Sequence, residues 1–140
     1  MNKITLEPKT ANFLRLERLA NGIADRGFRA SYMAHNLRVF LADQIRALRG
    51  DMSQKAFGEL IGKPQSVVSR LENEDYGKVS LQTLIDIAEK LDIALLVRFT
   101  DFPTYLRATA DFSETSFAPR PFTKDAFDEM MREEAPRTRR

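Results

Sequence analysis

The chain has 140 residues, 43% hydrophobic and 30% charged, which suits a globular domain with modest extensions rather than a disordered chain. It holds no Cys and one His, His35, so a disulfide framework, thiol catalysis, iron–sulfur clusters and Cys- or His-rich zinc sites are excluded within one chain. The net charge is only +2, yet residues 1–50 carry nine Lys/Arg against four Asp/Glu, an excess that helps a domain find phosphate. No apolar run approaches the ~20 residues that span a membrane, and the start lacks a signal-peptide core. The expectation is a cytoplasmic protein with no membrane partner.

In chain order, residues 8–26 read as a helix opened by Pro8, with Phe13, Leu16, Ala20 and Ile23 at helical spacing and Gly27 as its stop. A second helix is expected over residues 31–49, with Leu37, Leu41, Ile45 and Leu48 on one face and Gly50 behind it. Ser53 is placed to cap a short helix through Ile61, closed by Gly62. Pro64 opens the next, which is expected to reach about Asn73. Ser80 caps a further helix to Leu91. Residues 93–99, rich in β-formers and too short for a clear helix, read as a strand. A short helix is expected within 101–110, a linker over 111–121, and a last amphipathic helix capped by Thr123, with Phe127, Met130 and Met131 on its apolar side. The tail 135–140 is too polar to bury.

Function concentrates in residues 53–73, SQKAFGELIGKPQSVVSRLEN, a helix, Gly turn and helix with little room between them. Such a pair presents one helix to a DNA major groove. On a helical wheel Gln65, Ser66, Ser69, Arg70 and Asn73 share roughly 140°, and Val67, Val68 and Leu71 fall opposite. The polar face has no acidic residue. Gln pairs with adenine, Arg with guanine, and Ser or Asn reaches base edges or phosphates. A plain solvated face is the competing reading.

The same segment resembles the phage-repressor/Cro type of helix-turn-helix, the xenobiotic-response-element family of bacterial regulators. The shared features are Met52-Ser53-Gln54 at the start of a helix, Gly62 eight residues after Gln54, the run Ser69-Arg70-Leu71-Glu72-Asn73, and a following helix opened by Ser80-Leu81. The resemblance covers about residues 37–92. It implies a compact helical bundle that binds double-stranded DNA as a dimer, and it needs no cofactor. It also implies roles. Gln65, Ser66, Ser69 and Arg70 would face bases. Gln54 would bond a phosphate and brace Gln65, and Lys63, Tyr76, Gly77 and Lys78 would flank phosphates. Arg49 and Glu72 would form a structural pair.

The expected fold is therefore mainly α: a compact helix-turn-helix bundle with a short C-terminal β-strand and flanking extensions. The expected organisation is an N-terminal helical extension at 1–30, the DNA-binding domain at 31–92, a strand and short helix at 93–110, and a linker, amphipathic helix and basic tail at 111–140. Leu95, Leu96, Val97 and Phe99 would form an exposed apolar edge that pairs with a second copy or a related chain. The alternative there is packing within the monomer. His35 reads as a surface or capping residue, and no carboxylate pair or Gly-rich phosphate loop asks for catalysis or a metal. The leading expectation is a dimeric transcriptional regulator, a repressor rather than an enzyme. Its rival is an antitoxin-like protein that neutralises a partner through the helix at 8–26 or 123–134 and represses its own promoter.

Overall fold

The structure, a computed structural model, describes residues 8–110 and 117–136. In chain order the helices are α1 (Pro8–Ile23), α2 (Arg26–Arg49), α3 (Gln54–Ile61), α4 (Gln65–Leu71), α5 (Leu81–Leu91), α6 (Phe102–Ala108) and α7 (Lys124–Glu134). Five of the starts are set by local chemistry. The side chains of Asp25, Ser53, Ser80, Asp101 and Thr123 each accept from a backbone N–H three residues on, satisfying a donor the helix cannot. Pro64 precedes α4 without a side-chain cap.

The core lies where α2, α3, α4 and α5 meet. Ile45, Phe57, Ile61, Val68, Leu71 and Ile87 form one buried cluster, and Leu48, Val67, Val79 and Leu91 pack around it. Phe57 and Val68 are wholly buried and lie on facing sides of the turn between α3 and α4, so the pair is held by packing rather than by its short helices alone.

The N-terminal extension is built onto this bundle. Arg29 donates to the carbonyls of Ile23 and Ala24, closing the end of α1, and lies over the Phe102 ring at 5.8 Å. Arg15 donates to Tyr32 Oη at 3.2 Å and to the Leu106 carbonyl at 3.0 Å, tying α1 to α2 and α6. Asn36 donates to Tyr105 Oη at 3.0 Å. Buried Phe117 meets Phe40 edge to face at 4.8 Å, and Phe122 N–H donates to the Asp92 carbonyl.

Several expectations are corrected. Among the described residues there is no β-strand, and residues 93–99 run exposed after Ile93, with Leu96 at 78% and Phe99 fully open. A strand needs a neighbour for its backbone groups, and among the described residues 93–99 make no backbone hydrogen bond except Ile93 N–H to the Ala88 carbonyl. Gly27 does not end the first helix. Asp25 caps a new one two residues earlier, and α2 then runs unbroken for 24 residues, so the expected boundary at residue 30 falls inside a helix. The helix α1 stops at Ile23, and α4 stops at Leu71 rather than Asn73. Residues 111–116 of the expected linker and 137–140 of the tail lie outside the described residues.

Candidate nucleic-acid interface

The turn between α3 and α4 depends on two glycines for different reasons. Gly62 sits at φ +70°, in the left-handed region that ends a helix without a Cβ penalty. A Cβ on Gly58 would lie 2.5 Å from the Lys63 carbonyl oxygen, so only glycine lets the turn fold this closely over α3. Lys63 N–H donates to the Gly58 carbonyl at 2.8 Å, fixing the approach.

That turn sets the face of α4. Val68 and Leu71 point into the core, and Gln65, Ser66, Ser69 and Arg70 are exposed. Arg70 is partly engaged: its Nε donates to the Ser66 carbonyl at 3.2 Å, and its guanidinium lies over the Tyr76 ring at 5.8 Å. It rests along its own helix and must swing out to meet a base.

Glu72, just beyond α4, is buried and gathers three elements. Arg49 donates through Nε to Oε1 at 2.5 Å and through Nη2 to Oε2 at 3.2 Å. Gln54 Nε2 donates to Oε2 at 3.0 Å, and Arg46 donates to the Glu72 carbonyl oxygen. Burial pushes the Glu72 carboxyl up, but the hydrogen bonds from Arg49 and Gln54 and the charges of Arg49 and Arg46 outweigh it and hold it below the usual carboxylate range. A buried carboxylate left without donors would be costly, which explains why Gln54 turns to Glu72 and does not brace Gln65.

The remaining expected contacts are scattered around this centre. Lys63 Nζ is held by Asp86 Oδ2 at 2.7 Å, and Gln82 donates to the other oxygen of the same carboxylate. The turn is thereby anchored to α5, and the Asp86 carboxyl is held below its ordinary range by those two hydrogen bonds. Gly77 adopts φ +61°, and Lys78 beside it is exposed with no ion pair among the described residues. Leu95, Leu96, Val97 and Phe99, beyond the end of α5 in sequence, are exposed. His35 is exposed on α2.

Three participants were not anticipated: Arg46, Asp86 and Arg38, whose stem packs over Gly77. Arg46 stands three residues before Arg49, hence on the same helical face, and that spacing was a usable signal. Asp86 and Arg38 meet their partners, Lys63 and Gly77, at long separation in sequence, with whole helices between, and left none.

Two short helices locked around a close Gly turn, the second with a buried apolar side and an exposed, acid-free polar side, define a DNA-binding protein of the helix-turn-helix class. A helix-turn-helix family model matches residues 44–97, from the C-terminal half of α2 past α5. Comparison with curated proteins and with solved structures finds no match. The match supports a helix-turn-helix of the Cro/C1 type, the xenobiotic response element family, over residues 44–97, and with it a DNA-binding role in transcription regulation. No helix among the described residues is long and apolar enough to cross a membrane.

Proposed function

We propose that this chain is a sequence-specific repressor that binds a two-fold-related operator in the cytoplasm as a dimer. The carrying observation is the split of α4: Val68 and Leu71 are buried, and Gln65, Ser66, Ser69 and Arg70 are left for base edges. Gln54, Lys63, Tyr76, Gly77 and Lys78 serve the backbone in this reading. Gln54 spends one amide N–H on Glu72 and Lys63 one N–H on Asp86, so each retains donors for phosphate. The Arg49–Glu72 pair holds the frame. Leu95, Leu96, Val97 and Phe99 supply the dimer contact, and two copies place two recognition helices about one DNA turn apart. The partner copy is the same chain or a related one.

Gln65→Ala tests the reading. It is expected to cost about 1–3 kcal/mol on a preferred duplex and less on random DNA, because a bidentate base contact discriminates. Equal losses on both would make Gln65 a positioning residue only.

A second reading, an antitoxin-like protein that also binds and neutralises a partner, is favoured by one observation. Phe127, Met130 and Met131 of α7 are all exposed, and that helix buries no residue, whereas α1 is packed against α2 and α6. Stable copurification with a second protein that is toxic when expressed alone would select it.

A further inference from the structure

Five arginines of the described residues are engaged by hydrogen bonds. Arg15, Arg29, Arg46, Arg49 and Arg70 each donate to a carbonyl, hydroxyl or carboxylate. Arg38 of α2 does not. It is exposed and makes no hydrogen bond or ion pair among the described residues. Its stem nevertheless lies close against Gly77. A Cβ on Gly77 would lie 3.0 Å from Arg38 Nε and 3.4 Å from Cδ, so the stem passes over the one residue in that loop with no side chain to obstruct it. The same stem borders a groove of about 310 Å³ whose walls are mostly apolar, Met33, Leu37, Leu41, Leu71 and Val79, with Asn73 as their polar side chain; Asn73 Oδ1 accepts from the Asp75 N–H.

We propose that Arg38 and Lys78, which flanks Gly77, grip a backbone phosphate of the bound duplex, with Arg38 contributing from outside the 44–97 helix-turn-helix segment that holds Lys78. The inference rests on the reading of α4 as the groove-facing helix. A duplex seated on α4 brings its backbone to the loop that leaves α4, and Arg38 reaches that loop from α2. A guanidinium presents paired N–H groups that match phosphate oxygens, and with Lys78 the positive charges at this spot are two. Glu74 and Asp75 in the same loop pair with neither, and they temper the attraction without cancelling it.

The test is a salt series on wild type, Arg38→Gln, Arg38→Lys and Gln65→Ala. Each is titrated against a duplex selected from a random pool and against a random-sequence duplex. Arg38→Gln keeps much of the stem and removes the charge. It is expected to weaken both duplexes alike, by about three- to tenfold, and to reduce the salt slope by about one. Arg38→Lys is expected to keep the slope. Gln65→Ala should instead lose mainly the selected duplex. An Arg38→Gln slope equal to wild type overturns the phosphate contact and leaves the α4 reading standing. Failure of the wild-type chain to bind either duplex overturns both. A fall in Tm for Arg38→Gln with an unchanged slope assigns Arg38 a structural role and likewise overturns the proposal.

Discussion

Ile45, Phe57, Ile61, Val68, Leu71 and Ile87 are each at most 4% exposed, whereas Leu96, Val97, Phe99, Phe122 and Met131 are each at least 52% exposed. The first group closes a core from sequence-local helices with capped ends. The second follows α5 and lies largely open to solvent. Single exposed apolar residues are ordinary, and Leu60 and Leu81 in the first region are of that kind. A run such as 95–99 together with an apolar helix face is not, and it is where the proposed dimer contact would sit. The contrast separates a part whose apolar side chains are buried among the described residues from a part whose apolar side chains are not.

The strongest way to break this contrast is a pair of truncations. Phe57→Ala empties a wholly buried site and is expected to cost about 3–5 kcal/mol. Phe99→Ala, read in denaturant at a dilution that keeps the chain monomeric, is expected to change stability by less than about 0.5 kcal/mol. A comparable cost for Phe99→Ala would mean that 93–99 packs within the monomer. Next in size is the Glu72 network. Arg49→Ala strips a buried carboxylate of its main donor and is expected to cost about 3 kcal/mol at neutral pH. Because the Glu72 carboxyl is held low in the folded chain, its contribution is present above the unfolded value of about 4.3 and is lost as pH falls through the folded value. Denaturant midpoints taken down the acid limb should therefore flatten in Glu72→Gln relative to wild type. An unchanged acid slope would place the pH dependence elsewhere. Leu96→Lys has the smallest effect on folding and sharpens the contrast from the other side. Sedimentation should show weaker association with little change in the thermal midpoint, and a folded, fully dimeric variant would remove 95–99 from the interface.

How far the chain could be read from its residues follows the same division. Ser53, Ser80 and Thr123 were legible as caps because capping is chemistry within three residues. The split face of α4 was legible because its period is local. Gly27 misled, since a glycine reads as a stop unless the cap at Asp25 is recognised first. Residues 93–99 misled for a deeper reason: β-branched and apolar composition describes a surface that fits against something, and does not say whether that neighbour is in the same chain. The resemblance supplied Arg49 and Glu72 as a pair, but not the donors that Arg46 and Gln54 add to it. The ion pair that Lys63 makes was not legible, because Asp86 lies 23 residues away, beyond any local pattern.

The unbroken course of α2 carries a mechanical consequence. At about 1.5 Å per residue its 24 residues make a rod of about 36 Å, one end gripped by α1 and α6, the other by Glu72 at the foot of α4. No hinge interrupts it between those two grips. A ligand or protein that tilts the far end, by loosening Arg15 from Leu106 or Asn36 from Tyr105, moves a lever whose near end is bolted to the recognition helix. A shift at the α1 and α6 contacts and the placement of α4 are thus linked through one uninterrupted helix.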